Sequence, residues 1–133
     1  MIPDYKDIAE FILLNYDTKV VEIGVGSLPE VALLLKDKLE VIVTDVTGQE
    51  YPGIKFCRDD IFTPDMNIYE HASLIYSIRP PIDLQDAIAR TAKGVGADLL
   101  IRPFGNEKAD LRNYFKQYDL LNYKKARFYL YKN

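Results

Sequence analysis

The amino-acid sequence predicts an α/β fold: a doubly wound, mostly parallel Rossmann-like sheet with helices on both faces and an antiparallel C-terminal edge. Short β-branched runs alternate with segments whose apolar residues recur at helical spacing, which is typical of parallel sheets. A glycine-containing turn joins the first β-branched run to the next helix. The last two β-rich runs have no helix between them, which predicts an antiparallel pair. No repeat or linker divides the 133 residues, so we expect a single domain over residues 1–133.

The individual elements follow from their local patterns. Tyr5, Ile8, Ile12 and Tyr16 lie on one helical face and predict a first helix. Strands are predicted at 19–23, 40–46, 54–57, 72–78 and 98–101, and the antiparallel pair at 120–123 and 127–131. Further helices are predicted at 28–38, 83–93 and 107–117, with one helical turn near 66–71. Right-handed crossovers between parallel strands then place helices on both faces of the sheet.

Composition and charge narrow the range of functions. Hydrophobic residues make up 48% of the chain and charged residues 28%, as in ordinary soluble proteins. The net charge of −3 argues against nucleic-acid partners, which require clustered Lys and Arg. A single cysteine, Cys57, and a single histidine, His71, exclude an internal disulfide and argue against a metal site. Without a signal peptide or an apolar run near the roughly 20 residues that cross a bilayer, we expect no membrane association and a cytoplasmic location.

The glycine turn is the strongest functional signal. Gly24 and Gly26 precede a helix for which Ser27 and Glu30 form a capping box, so backbone N–H groups and the helix dipole face a ligand above the turn. Asp45 ends the second strand, 19 residues after Gly26, where an acid contacts ribose hydroxyls in nucleotide-binding folds. The simpler interpretation is that the glycines only permit a tight turn. We favour a nucleotide-like small-molecule ligand.

The segment Glu22-Ile23-Gly24-Val25-Gly26 resembles the first motif of class I S-adenosylmethionine-dependent methyltransferases, acidic-x-Gly-x-Gly-x-Gly, with Leu28 in place of the last glycine. As a whole the chain is similar to a small, uncharacterised archaeal family in that superfamily. The resemblance implies S-adenosylmethionine as cofactor. It implies that Glu22 orders the loop, that Gly24 and Gly26 pass under the methionine part, and that Asp45 holds the ribose.

The same resemblance assigns the adenine end of the ligand. Asp60 follows the third strand, where that family places an acid near the adenine amino group, and Ile61 is the apolar neighbour against the ring. A dinucleotide fingerprint would need a third glycine where Pro29 stands. Asp45 permits a small NAD(P)-binding domain, but Pro29 opposes it.

Two arginines lie where the acceptor of the methyl group is expected to bind. Arg79 and Arg102, each followed by proline, end neighbouring strands of the predicted sheet. Amino-group methyltransferases often place Asp or Asn before Pro-Pro at the first of these positions. Arginine has donors and no acceptor, so Arg79 cannot activate an amine there. As catalytic-site candidates, Arg79 and Arg102 would instead hold a carboxylate or phosphate, or each would pair with an internal acid such as Glu22, Asp45 or Asp60.

Three hypotheses remain open at this stage. The first is an S-adenosylmethionine-dependent methyltransferase that acts on a small anionic molecule or a protein. With no extra domain to form a lid, a homodimer or a protein partner would complete its site, unless the acceptor binds an open rim. The second is a non-catalytic module that binds an adenosine-containing ligand. The third is the small NAD(P)-binding domain.

Overall fold

The computed structural model describes residues 4–26, 29–48 and 51–133, in which helices and strands alternate. The helices are α1 (Tyr5–Asn15), α2 (Glu30–Leu35), α3 (Met66–Tyr69) and α4 (Ile82–Val95). The strands are β1 (Val20–Ile23), β2 (Val41–Asp45), β3 (Lys55–Arg58), β4 (Leu74–Ile78), β5 (Asp98–Arg102), β6 (Tyr118–Tyr123) and β7 (Ala126–Tyr131). In these ranges no helix is long and apolar enough to span a membrane.

The strands form one sheet in the order β3-β2-β1-β4-β5-β7-β6. The first five strands are parallel, and β7 runs antiparallel between β5 and β6. This topology confirms the predicted doubly wound sheet with an antiparallel C-terminal edge. The strand order reverses direction between β1 and β4, where ligands bind in folds of this kind.

Helices cover both faces of the sheet because alternate strand residues point to opposite sides. On one face Ile8 and Ile12 of α1 and Leu35 of α2 pack with Val20 and Tyr76. On the other face the side chains of α3 and α4 meet the intervening strand residues, among them Tyr69, Ile88, Val21, Ile75 and Leu99. The two apolar layers hold the carboxyl ends of β1, β2 and β4 at one rim.

The helix predicted at 107–117 is wrong, since the structure has turns there. Leu111 and Phe115 are buried and four residues apart, which explains the helical pattern in the sequence. The buried side chain of Gln85 donates to the carbonyl of Glu107 at 2.7 Å and accepts from the Ala109 N–H at 2.8 Å. In a helix beginning at residue 107 the Glu107 carbonyl would accept from the backbone four residues on, so its contact with Gln85 replaces a helical hydrogen bond by a tertiary one.

The other boundaries differ by a few residues. Helix α2 ends at Leu35 and α4 extends to Val95, where Gly96 adopts a left-handed conformation with a φ of 75° that ends the helix. Strand β6 begins two residues before its predicted start, at Tyr118. The capping-box residue Ser27 and the motif position Leu28 lie outside the described residues.

Candidate functional site

A cleft of about 330 Å³ opens at the carboxyl ends of β1, β2 and β3. Four of the predicted ligand-binding residues line it: Gly24, Asp45, Asp60 and Ile61. The rest of the wall is Ile23, Thr44, Val46, Asp59, Phe62, Tyr69 and Leu84. The volume is at the lower end of the range for small-molecule sites, roughly 300 to 1,000 Å³. The cleft is adjacent to the reversal of strand order at β1 and lies on the side of β2 and β3.

The glycine loop forms one wall of the cleft. Gly24 and Gly26 have φ angles of 74° and 60°, a left-handed conformation that side chains rarely tolerate. A Cβ atom at either position would meet nothing within 4 Å, so the outer side of the loop is open. The N–H groups of Gly24 and Val25 both donate to the Thr44 carbonyl, which binds the start of the loop to β2.

Asp45 joins the end of β2 to the tip of the loop. Its Oδ2 accepts from the Gly26 N–H at 2.7 Å, and its Oδ1 accepts from the Val46 N–H at 2.7 Å. The Tyr51 hydroxyl donates to the carbonyl of Gly26 from the other side. Because each carboxylate oxygen can accept two hydrogen bonds, Asp45 keeps acceptor capacity toward the cleft.

The segment after β3 forms the opposite wall. Asp60 Oδ1 accepts from the Phe62 N–H at 3.0 Å, which turns the chain so that Ile61 is buried. Phe62 stays half exposed beside it. Asp59 accepts from the Tyr69 hydroxyl at 2.5 Å and from the Asp65 N–H at 3.0 Å. The wall is therefore fixed by hydrogen bonds to α3.

Glu22 lies behind the loop, outside the cleft. It is 1% exposed, and its Oε1 has no hydrogen-bond partner of normal geometry among the described residues. Burial, together with the negative charges of Glu30 and Asp45, raises the pKa of Glu22 to about 8. The hydroxyl of its β4 neighbour Tyr76 is also buried without such a partner. At neutral pH Glu22 is therefore mostly protonated, and it lies behind the loop as a neutral side chain.

The backbones of Arg79 and Arg102 are adjacent, but their side chains contact different groups. The Arg79 N–H donates to the Arg102 carbonyl at 2.6 Å, as neighbouring strand ends require. The Arg79 guanidinium lies 5.4 Å from the centre of the Phe104 ring. Arg102 Nε donates to Asp4 Oδ2 at 3.1 Å, so Arg102 pairs with an internal acid, but the partner is Asp4 and not Glu22, Asp45 or Asp60. Neither arginine lines the cleft, and joint binding of an anion stays a prediction.

Several residues of the site were absent from the sequence prediction. Asp59 and Tyr69 line the cleft, and Tyr51 holds the loop. The position of Asp59 beside Asp60 was a usable signal, whereas nothing in the sequence links Tyr51 or Tyr69 to the loop. In the part of the chain that the structure describes, no three His, Cys, Asp or Glu side chains group as a metal site.

The strand order, with an antiparallel pair at its C-terminal edge, defines a methyltransferase-like α/β fold, as two solved structures show. The N-terminal domain of EvdMO1, solved in the presence of S-adenosylhomocysteine and D-fucose, superposes with a TM-score of 0.67 at 11% identity, over 98% of this chain and 83% of that one. A TehB-like S-adenosylmethionine-dependent methyltransferase from Corynebacterium glutamicum gives 0.61 at 12% identity, over 96% and 85%. At such low identity the similarity shows the fold.

The chain belongs to the uncharacterised protein family UPF0146, whose sequence profile matches residues 5–133. A UPF0146 protein of Archaeoglobus fulgidus is 45% identical over 125 residues, which cover 92% of this chain and 91% of the relative. The resemblance to a small archaeal family is thereby confirmed, and the superposed structures confirm the methyltransferase-like fold.

Proposed function

We propose that this protein binds S-adenosylmethionine in the cleft between the glycine loop and Asp60, and transfers its methyl group to a small anionic molecule or a protein. The observation that carries the proposal is the position of Asp45. Its carboxylate lies at the end of β2, in the cleft wall, bonded to the tip of an open glycine loop.

The residues of the cleft fit an adenosyl ligand. The unobstructed outer side of Gly24 and Gly26 leaves space for the methionine part of the ligand to lie against the backbone. Asp45 has free lone pairs for ribose hydroxyls. Asp60 offers a carboxylate at the far wall, where buried Ile61 and half-exposed Phe62 provide apolar surface for a purine. When bound, S-adenosylmethionine supplies an electrophilic methyl group.

The remaining task of the protein is to position an acceptor. Alignment of two reactants accounts for much of the rate enhancement in such transfers, so an obvious general base is not required. Ile82 after β4 and Phe104 after β5 are 50% and 57% exposed near the same rim. Exposed apolar residues of this kind favour a second subunit or a partner protein that completes the acceptor site.

A thermal-shift titration tests the cofactor. S-adenosylmethionine, S-adenosylhomocysteine and NAD would be compared on the wild type, on Asp45→Ala and on Asp119→Ala. A ligand at about a hundred times its dissociation constant adds roughly 2.7 kcal/mol, which raises the melting temperature by several degrees. Asp119 is an exposed acid of β6 and serves as the matched control.

The two adenosyl compounds should stabilise the wild type and the Asp119→Ala control and fail to stabilise Asp45→Ala. Stabilisation by NAD alone would favour the dinucleotide hypothesis. No stabilisation by any of the three would show that the loop is only a turn. Adenosyl binding without methyl release in the presence of candidate acceptors would favour the non-catalytic binding module, which Arg79 in place of an acceptor residue also favours.

A further inference from the structure

A second pocket, of about 260 Å³, shares no residue with the cleft. It forms because β5 pairs with β7 only through Leu99, Leu100 and Ile101. After Arg102 the chain turns away at Pro103, and a gap opens toward the start of β7. Arg102, Lys125 and Arg127 line this gap together with Asp4. We call it the basic pocket.

Arg102 is held rigidly in the wall of the basic pocket. Its Nε donates to Asp4 Oδ2 at 3.1 Å and its Nη1 donates to the Pro103 carbonyl at 2.8 Å. The side chain is 17% exposed, and that of Asp4 is 5% exposed. A guanidinium has five N–H groups, so donors remain on Nη1 and Nη2. A donor already fixed in place loses little freedom when a ligand binds.

The other two cationic residues, Lys125 and Arg127, lie on the β6–β7 hairpin, which is hydrogen-bonded to α1. Lys124, at the β6–β7 turn, donates to both carboxylate oxygens of Glu10 at 2.7 and 2.8 Å. The Tyr123 hydroxyl donates to Glu10 at 3.0 Å, and the Lys125 N–H donates to Asp7 at 3.0 Å. These contacts place Lys125 and Arg127 beside the N-terminal end of α1, opposite Arg102.

The charges of the basic pocket are incompletely matched. Lys124 has its own carboxylate partner, whereas the side chains of Lys125 and Arg127 form no ion pair with any described residue. The three cations of the basic pocket outnumber the carboxylates around it: Asp4 lines the pocket, and Asp7 accepts from the Lys125 backbone N–H at 3.0 Å. The whole chain has a net charge of −3, so this concentration of positive charge is a local feature.

We propose that the basic pocket binds the phosphate group of a small phosphate monoester. The excess of cations over carboxylates at the basic pocket favours a phosphate monoester dianion, and guanidinium groups bind phosphate oxygens through paired N–H donors. Asn106 adds a neutral polar group to the wall. The ring of Tyr129 and the side chain of Leu120 form the apolar side of the pocket, where the organic part of the ester would lie.

Calorimetric titration at low ionic strength, without any adenosyl compound, tests the proposal independently of the cofactor. The probes are phenyl phosphate, a dianion near pH 8, and benzoate, a monoanion of similar shape. Variants Lys125→Ala and Arg127→Ala remove one cation each from exposed positions without disturbing the Asp4–Arg102 pair. Arg90→Ala removes an exposed arginine of α4 and is the matched control.

Phenyl phosphate should bind at one site, and each pocket variant should weaken it by about tenfold or more. The control should bind like the wild type, and benzoate should bind about tenfold more weakly than phenyl phosphate. Amide chemical shifts of Gly105, Asn106 and Arg127 should move on titration. The proposal is overturned by the absence of saturable binding up to about 10 mM. Equal weakening in Arg90→Ala, or shifts confined to the glycine loop, would overturn it too.

Discussion

Asp45 Oδ2 accepts a hydrogen bond from the backbone N–H of Gly26 at 2.7 Å. This bond links the end of β2 to the tip of the loop after β1. The carboxylate that would meet a ribose therefore also sets the position of the backbone that would pass under the rest of the ligand. Loss of this side chain changes the loop even when no ligand is present.

Amide hydrogen exchange checks that relationship directly. In ligand-free Asp45→Ala, the Gly26 amide should exchange about tenfold faster or more, because it loses its acceptor. The Gly24 amide donates to the Thr44 carbonyl at 2.9 Å and should keep its protection, which provides a control within the same molecule. Equal exchange of Gly26 in the wild type and the variant would mean that the bond does not hold the loop.

Two glycine substitutions separate stability from binding. Gly24→Ala and Gly96→Ala place a side chain at φ angles of 74° and 75°, and each should lower the free energy of unfolding by about 1 kcal/mol. Only Gly24 lines the cleft, so only Gly24→Ala should also weaken S-adenosylhomocysteine, by about tenfold or more. Thermal melts and calorimetry measure the two effects. Equal affinities of the two variants for S-adenosylhomocysteine would show that Gly24 does not contact the ligand.

The buried carboxyl of Glu22 predicts a pH dependence of stability. Its pKa is about 8 in the folded protein and near 4.5 in the unfolded chain. Between these values the folded protein keeps a proton that the unfolded chain releases, so the free energy of unfolding falls as pH rises through this window. Glu22→Gln should remove this decline and be more stable than the wild type at pH 9, by a few kcal/mol.

Denaturant melts at several pH values between 5 and 9 measure the slope for both proteins. Glu40→Gln, at an exposed position, is the matched control and should keep the slope of the wild type. A Glu22→Gln variant with an unchanged slope would show that Glu22 is ionised in the folded protein at neutral pH.

The Asp4–Arg102 ion pair should contribute to stability because Asp4 is buried. Arg102→Met leaves that carboxylate without its partner and should lower the free energy of unfolding by about 1 to 3 kcal/mol. Asp4→Asn added to Arg102→Met should recover part of the loss, which a double-mutant cycle measures. Arg112→Met, from an exposed pair with Asp110, should have no measurable effect. Equal losses in the two arginine variants would mean that burial of Asp4 does not matter.

Much of the architecture was predictable because it depends on local pattern. The β-branched runs ending at Ile23, Asp45 and Ile78 follow period and composition alone, as does the hairpin of residues 118–131. The glycine turn and the acid after β2 were visible for the same reason, since their spacing along the chain is set by the length of one βα unit. Asp60 and Ile61, which the resemblance to methyltransferases implied, also line the cleft.

The rest depends on contacts between distant parts of the chain. Residues 107–117 have a helical pattern, yet the Gln85 side chain binds their backbone and a helix does not form. Arg102 pairs with Asp4, 98 residues away, and Tyr51 reaches the Gly26 carbonyl from a separate loop. Local period and spacing thus determined the sheet and the strand-end positions of the candidate ligand-binding residues. Only the tertiary structure decided which side chains hold the loop and which cations lack a carboxylate partner. The reason is that burial and pairing energies depend on neighbours that are close only in the folded chain.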